Sequence, residues 1–355
     1  MKTTRNPNAQ RPGTDRRSFL QAMAVLGVAG QTLFRTRDAR GAVYAARTSA
    51  GSEVEWPKLG RRRLGRTGFE GSRLVFGCGA ALARSPKDDL LEAALDAGIN
   101  VFDSGTRRYY HDAEIHLAPF LARHKQKRDA IFLISKAMTY LDVEPETAID
   151  LAQSRQAAAT WSQLMDSSLQ ELDVDFVDAY YVMGSNNPSI VRSEEIRRAF
   201  ERARDAGKVK HLGLSTHQNA ERVLKAAMET GWYDLAQVAI TPGGWYDFTD
   251  RSILSGSPPM HAIKPFLDRV RGSGIGLIGM KAGRYLAGRK FLGWGKPDAF
   301  DAQYDDAFMK SGLSPFQRSY AYVIAHGLDA VNADMQSFAH LQENVSAAAS
   351  STSHF

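Results

Sequence analysis

The sequence predicts a single (β/α)8 barrel of the TIM type behind an N-terminal export segment. Three observations carry that prediction. Short, continuous apolar runs alternate with longer amphipathic stretches from "SRLVFGCG" to the C-terminus, as expected for parallel strands covered on the outside by helices. Glycines punctuate many of the joins from helix to strand, where helix C-caps favour them. No linker or shift of composition divides a body of roughly 300 residues, about the size of one such barrel.

The first 47 residues stand apart. Lys2 and eight arginines face only Asp15 and Asp38 there, a net charge of +7, while the whole chain of 355 residues carries +6. The basicity therefore belongs to the N-terminus, and the rest of the chain is close to neutral. That removes the compositional case for a nucleic-acid partner. "TDRRSFLQAMAVLGVAGQTLF" has a basic start, the pair Arg16-Arg17, then Phe19-Leu20 and a modest apolar segment. It is expected to be a twin-arginine signal peptide with its linker over 1–47, followed by the barrel over 48–355. Such a leader implies the twin-arginine export machinery as a partner and a periplasmic or otherwise exported destination. No apolar run reaches the roughly 18 residues of a membrane span.

The barrel reads in order. "SRLVFGCG" is a strand, "PKDDLLEAALDAG" a helix and "INVFDSG" the second strand. "AEIHLAPFLARHK" is a helix before "AIFLISKA", and a long helix ending "LMDSSLQELDV" precedes "DFVDAYYVMG". "SEEIRRAFERARDAGK" leads to "VKHLGLST", "NAERVLKAAMETG" to "DLAQVAI", and "AIKPFLDRVRGSG" to "IGLIGMKAG". "SPFQRSYAYVIAHG", "LDAVNADM" and "SFAHLQENVSAAA" close the chain as helix, strand and helix.

In this architecture the C-terminal ends of the strands carry the chemistry. The second strand ends in Asp103, the third in Lys136, the fourth near Met183, the fifth in Ser215 and the seventh in Met280-Lys281, while Gln237 lies in the sixth. A lysine and an aspartate on neighbouring strand ends are expected to pair, since either is costly to bury alone. A tyrosine beside the lysine is expected to have its phenolate stabilised and its pKa lowered, suiting it to general acid catalysis. A purely structural ion pair is the competing reading. "VFDSGTRRYYHDAE" offers Tyr109 and Tyr110 next to Asp103.

With those residues in view, the chain over residues 59–349 resembles the aldo-keto reductases. "LGRRRLGRTGFEGSRLVFGCG" is similar to the family's opening hairpin and first strand. "AALDAGINVFDSG" with "YYHDAE" resembles its Asp strand and Tyr loop, and "GKVKHLGLSTH", "DLAQVAI" and "HLQENVSAA" resemble later landmarks. The resemblance implies oxidoreduction of a small carbonyl or alcohol with NADP or NAD. It assigns catalysis to Asp103, Tyr110 and Lys136, with Tyr110 chosen by counting back from Glu114. It assigns cofactor binding to Ser215, Gln237, Lys281, Arg284, Glu343 and Asn344. Met183 stands where the family's fourth catalytic residue, a histidine, is usual, and a methionine donates no hydrogen bond. Asn186, Asn187 and His217 are the neighbouring candidates for a substitute donor. Asp334 follows the last strand, where a basic or small polar residue is common, so NADH is an option. Taken with Met183 and with Met280 in place of a stacking aromatic, it also motivates an alternative, a cofactor-binding or redox-sensing barrel with weak or lost reductase activity.

Other signals carry less. Cys78, the only cysteine, sits among apolar and small residues and is expected to be a packed core thiol. "GIGLIG" fits G-x-G-x-x-G but lies within a strand-like run instead of a strand-to-helix turn. His111 and His116 are five apart and share no helix face, which argues against a metal site. Arg61–Arg63 read as solvated hairpin, and the aromatics of "GGWYDF" as a lining for the pocket.

Overall fold

The computed structural model describes residues 55–287 and 295–351. The expected signal segment lies outside these residues. A hairpin of β1 (Arg61–Arg63) and β2 (Glu70–Ser72) opens the described chain. Eight parallel strands follow: β3 (Leu74–Gly77), β4 (Val101–Asp103), β5 (Phe132–Met138), β6 (Val177–Met183), β7 (Val209–Thr216), β8 (Leu235–Thr241), β11 (Gly276–Met280) and β12 (Ala330–Asp334). They close into a barrel, because β12 pairs with β3 at one seam and β7 with β8 at another. A second hairpin, β9 (Gly244–Asp247) with β10 (Ser252–Ile253), continues antiparallel from the top of β8.

Helices wrap the outside. The first four are α1 (Cys78–Leu82), α2 (Asp88–Asp96), α3 (Arg107–Tyr110) and α4 (Ala113–Arg123). Then come α5 (Leu151–Leu172), α6 (Pro188–Val191), α7 (Glu194–Asp205) and α8 (Ala220–Thr230). The last are α9 (Met260–Gly272), α10 (Asp306–Met309), α11 (Pro315–Ala325) and α12 (Phe338–Ser350). Their starts follow from local chemistry. Asp150 accepts from the Gln153 amide while the Gln153 side chain returns to Asp150 N, and Ser314 with Gln317 repeats the arrangement at α11.

The core has two shells and a mouth. Between strands and helices lies a continuous apolar layer that includes Phe76, Phe102, Trp161 and Tyr180. Inside the barrel, Val75, Val101, Phe132, Ile134, Tyr181, Leu235 and Ile278 fill the lower half, and Leu64 from the β1–β2 connection plugs the bottom. At the top, Ala239, Tyr246, Phe248 and Met280 form a separate apolar cluster, with Tyr109 and Tyr285 packed against it.

The expected strand "SRLVFGCG" is shorter than the apolar run suggests. It stops at Gly77, and Cys78 already belongs to α1. A Cβ on Gly77 would lie 2.6 Å from Asn332 Oδ1, so side chains of β12 crowd the chain at the barrel rim. Cys78 is fully buried, and burial pushes its thiol far above the usual range. "GIGLIG" ends in β11, as a strand should.

Candidate active site at the barrel mouth

Alternation along the strands sorts the interior side chains. On β4, Val101 faces the lower core and Asp103 the mouth; on β5, Phe132 and Ile134 lie below Lys136. Asp103 and Lys136 thus reach the same height on adjacent strands. Lys136 Nζ donates to Asp103 Oδ1 at 2.5 Å and to the Ser104 carbonyl at 2.6 Å, and both side chains are 4% exposed. A dry pair of this kind holds only if its remaining lone pairs are satisfied. They are: Gln237 Nε2 donates to Asp103 Oδ2 at 3.3 Å, and Asn332 Nδ2 donates to the same oxygen. Asn332 was not among the sequence candidates. It occupies the inward position between Ala330 and Asp334 on the last strand, so period-2 counting would have found it.

Tyr110 ends the four-residue helix α3, in which Tyr109 N and Tyr110 N both donate to the Thr106 carbonyl. Its ring lies against Gly79 and Gly105 and sits 5.3 Å from Lys136 Nζ. The expectation of a lowered tyrosine pKa is overturned. Burial holds the Tyr110 phenol well above its ordinary value, and Tyr109 and the Asp103 and Asp334 carboxylates push the same way. The reason is geometric. Lys136 spends its hydrogen bonds on Asp103 and Ser104, and meets Tyr110 across the ring. Tyr109 packs edge-on to Tyr110, with 4.5 Å between centroids, and joins the apolar mouth cluster.

Met183 ends β6, 3% exposed and level with Met138 of β5. Of the candidate substitutes, Asn186 is already engaged. Its Oδ1 accepts from Thr216 Oγ1 and from the amides of His217 and Gln218. Asn187 caps α6 and donates to the carbonyls of Glu144 and Thr147. His217 is buried, and its Nδ1 has no hydrogen-bond partner among the described residues.

Ser215 and Gln237 lie opposite each other in the β7–β8 register. Ser215 Oγ and Gln237 Oε1 are both buried without a partner among the described residues. Unpaired buried polar atoms are costly and uncommon, and this donor–acceptor couple fits a carboxamide. Lys281 follows β11 at φ 68°, and burial lowers its ammonium pKa against the opposing effect of Asp334. Arg284 N donates to the Lys281 carbonyl one turn on. Glu343 and Asn344 lie on α12. Glu343 Oε1 accepts from Ser314 Oγ at 2.7 Å, which ties it to the start of α11. A separate cleft of about 540 Å3 on the outer layer is lined by Asp150, Ser154, Arg192, Glu194 and Arg198; none of the sequence-predicted site residues is among its lining.

No curated protein matches the sequence. Two solved structures from Pseudomonas aeruginosa, PA4992 and a second chain, each assigned to the aldo-keto reductases, share the fold. They are 22% and 21% identical, with TM-scores of 0.56 and 0.55. Each match covers 83% of this chain and 98% or 97% of the other. Residues 71–242, which span β3 through β8, match the model of the aldo/keto reductase family, a family of NAD(P)-dependent enzymes that oxidise and reduce carbonyl compounds and alcohols. With the eight-stranded barrel closed around them, these matches make the chain similar to the aldo/keto reductases in its sequence over residues 71–242 and in its fold.

Proposed function

We propose that this chain interconverts a small carbonyl compound and its alcohol with NAD(P)(H), using Tyr110 as the proton donor. The observation that carries the reading is the couple Ser215 Oγ and Gln237 Oε1, left without partners beside the buried Asp103–Lys136 pair. A carboxamide offers the donor and the acceptor that this couple lacks. Ser215 and Gln237 would hold the nicotinamide end, Lys281 and Arg284 the pyrophosphate, and Glu343 and Asn344 the adenosine end. When bound, the cofactor supplies or accepts the hydride. Tyr110 keeps its proton at neutral pH, because burial favours the uncharged phenol. It gives that proton to the carbonyl oxygen as negative charge builds there. Lys136, held by Asp103 and 5.3 Å from the centre of the Tyr110 ring, would act on the resulting phenolate from across the ring and not through a hydrogen bond to its oxygen. Asp334, exposed at the end of β12, would repel a 2′-phosphate and favours NADH.

Met183 supports a second reading, a barrel that keeps the cofactor site with weakened chemistry. One pair of measurements separates the two. Titration of the protein with NADH and NADPH by tryptophan fluorescence is expected to saturate in the micromolar range. Tyr110→Phe is expected to lower carbonyl turnover by about 10²–10⁴-fold, the range of general acid catalysis, and to leave cofactor affinity within about twofold. Saturable binding with no turnover to lose would favour the second reading, and absence of binding would sink both.

A further inference from the structure

The mouth of the barrel lacks a histidine at the end of β6 but holds one beside it. Along β7 the inward positions are Gly213 and Ser215, and His217 follows directly after the strand's last residue, Thr216. A Cβ on Gly213 would strike the Tyr181 ring of the lower core, and Ser215 Oγ is buried without a partner. β6 and β7 pair through Tyr181–Gly213 and Val182–Leu214; Met183 and Ser215 each follow that last pair by one residue, and His217 comes two residues after Ser215. The ring of His217 packs edge-to-face on Phe248 at 5.0 Å, and Phe248 belongs to the mouth cluster with Met280, Tyr246 and Tyr109. The imidazole is therefore at the mouth, buried among the groups that would surround a reacting carbonyl, with a buried nitrogen that no described residue satisfies.

We infer that His217 is a further catalytic residue, whose imidazole N–H would hydrogen-bond the carbonyl oxygen alongside Tyr110, in the role that Met183 cannot fill. The inference rests on the proposed reductase reading. Its chemistry is that of an oriented neutral donor. Burial, with the ammonium groups of Lys281 and Lys136, lowers the His217 pKa to about 3, so the ring stays neutral over the working range. A neutral imidazole carries one N–H and transfers no proton here; the proton still comes from Tyr110. His217 would polarise the carbonyl and share the charge that grows on its oxygen. One such donor is worth about 10²–10³ in turnover.

The test uses the full chain and four variants: Tyr110→Phe, His217→Phe, His217→Gln and the double variant His217→Phe/Met183→His. Each is assayed with NADPH and NADH on 4-nitrobenzaldehyde, and its cofactor affinity is measured by tryptophan fluorescence. His217→Phe is expected to lose about 10²–10³-fold in kcat, with cofactor affinity within about twofold. His217→Gln, which keeps a donor, is expected to recover about a tenth or more of wild-type turnover, and the double variant to regain part of the loss from the neighbouring strand. A binding readout runs in parallel. In histidine-15N-labelled protein saturated with oxidised cofactor, adding a ketone that cannot react there is expected to move the His217 ring nitrogen resonances. Wild-type turnover in His217→Phe, with Tyr110→Phe inactive, would overturn the role of His217 and leave the reductase reading standing. Static ring resonances in the ternary mixture would do the same. If wild-type protein neither binds dinucleotide nor turns over the aldehyde, the reductase reading fails and the role of His217 falls with it.

Discussion

Among single residues, Glu114 shows how burial alone can set a titration. It is fully buried at the start of α4, accepts from Ser135 Oγ at 2.5 Å through Oε1, and has no partner for Oε2 among the described residues. Desolvation raises its pKa from 4.5 to about 7, against the lowering effect of the Ser135 and Ser168 hydroxyls. The folded state therefore holds a proton that the unfolded chain has released between pH 4.5 and 7. Stability falls as pH rises through that window, and the loss is complete above it. At about 1.4 kcal/mol per pKa unit the full penalty is on the order of 3 kcal/mol. Glu114→Gln keeps an acceptor for Ser135 without the charge. It is expected to be more stable than wild type by about 2–3 kcal/mol at pH 8 and nearly equal to it near pH 4.5, which urea denaturation at the two pH values would check. An equal difference at both would show that Glu114 does not titrate as its surroundings imply. The sequence marked Glu114 only as the anchor for counting back to Tyr110. Nothing in its spacing announces that the carboxyl is dry, because burial is set by β5 and α5 packing over it. The same gap explains the tyrosine. Proximity of Lys136 to Tyr110 was legible, but the direction of the lysine's hydrogen bonds and the weight of desolvation were not.

Elements place that tyrosine. A helix of four residues is too short to be stable by itself, so α3 owes its position to what it touches. Its last residue, Tyr110, fits between Gly79 of α1 and Gly105 of the β4–α3 loop, and His111 then turns the chain at φ 55° into α4. A Cβ on Gly105 would stand 2.8 Å from the Tyr110 ring and 2.9 Å from Lys136 Cγ. These are contacts that real structures avoid, and both neighbours belong to the proposed site. Gly105→Ala is expected to shift Tyr110 and lower kcat by about 10–100-fold, as displacements near 1 Å can. Cofactor affinity should change little, since Ser215 and Gln237 lie on other strands. Steady-state kinetics beside a fluorescence titration would separate the two effects, and unchanged kcat would mean that the loop absorbs the methyl without moving the ring. Elements were the most legible level. Strands buried on both faces read as apolar runs, and the alternation of runs and helices gave their order. What the runs hide is register. Asn332 joins Asp103 only because β12 closes on β3 next to β4, a neighbourhood created by barrel closure between residues far apart in sequence.

Across the whole molecule, charge is divided between the two ends of the barrel. At the mouth, Asp103, Lys136, Lys281 and Asp334 face the proposed chemistry. At the bottom, carboxylates serve the fold. Asp178 Oδ2 accepts from the Leu133 amide at 2.9 Å and from Arg128 at 2.7 Å; Asp329 accepts from the Leu277 amide at 2.8 Å and pairs with Arg62 and Arg271. Each aspartate thus ties two neighbouring strands near their starts. Leu64 completes this end. It is fully buried among Val75, Val101, Phe132 and Leu235, brought there by the β1–β2 connection. Removing its side chain leaves a cavity in the lower core that strands hydrogen-bonded on both sides cannot collapse to fill. Leu64→Ala is therefore expected to cost about 2–5 kcal/mol of stability. The Tyr181 ring and the Ile134 layer separate that cavity from Asp103 and Lys136, so the mouth should keep its geometry while the barrel stays folded. The variant should unfold at lower urea concentration yet show the kcat and cofactor affinity of wild type at low temperature. Loss of turnover in a still-folded Leu64→Ala protein would mean that the lower core sets the geometry of the mouth, and that the division of labour between the two ends of the barrel does not hold in this chain.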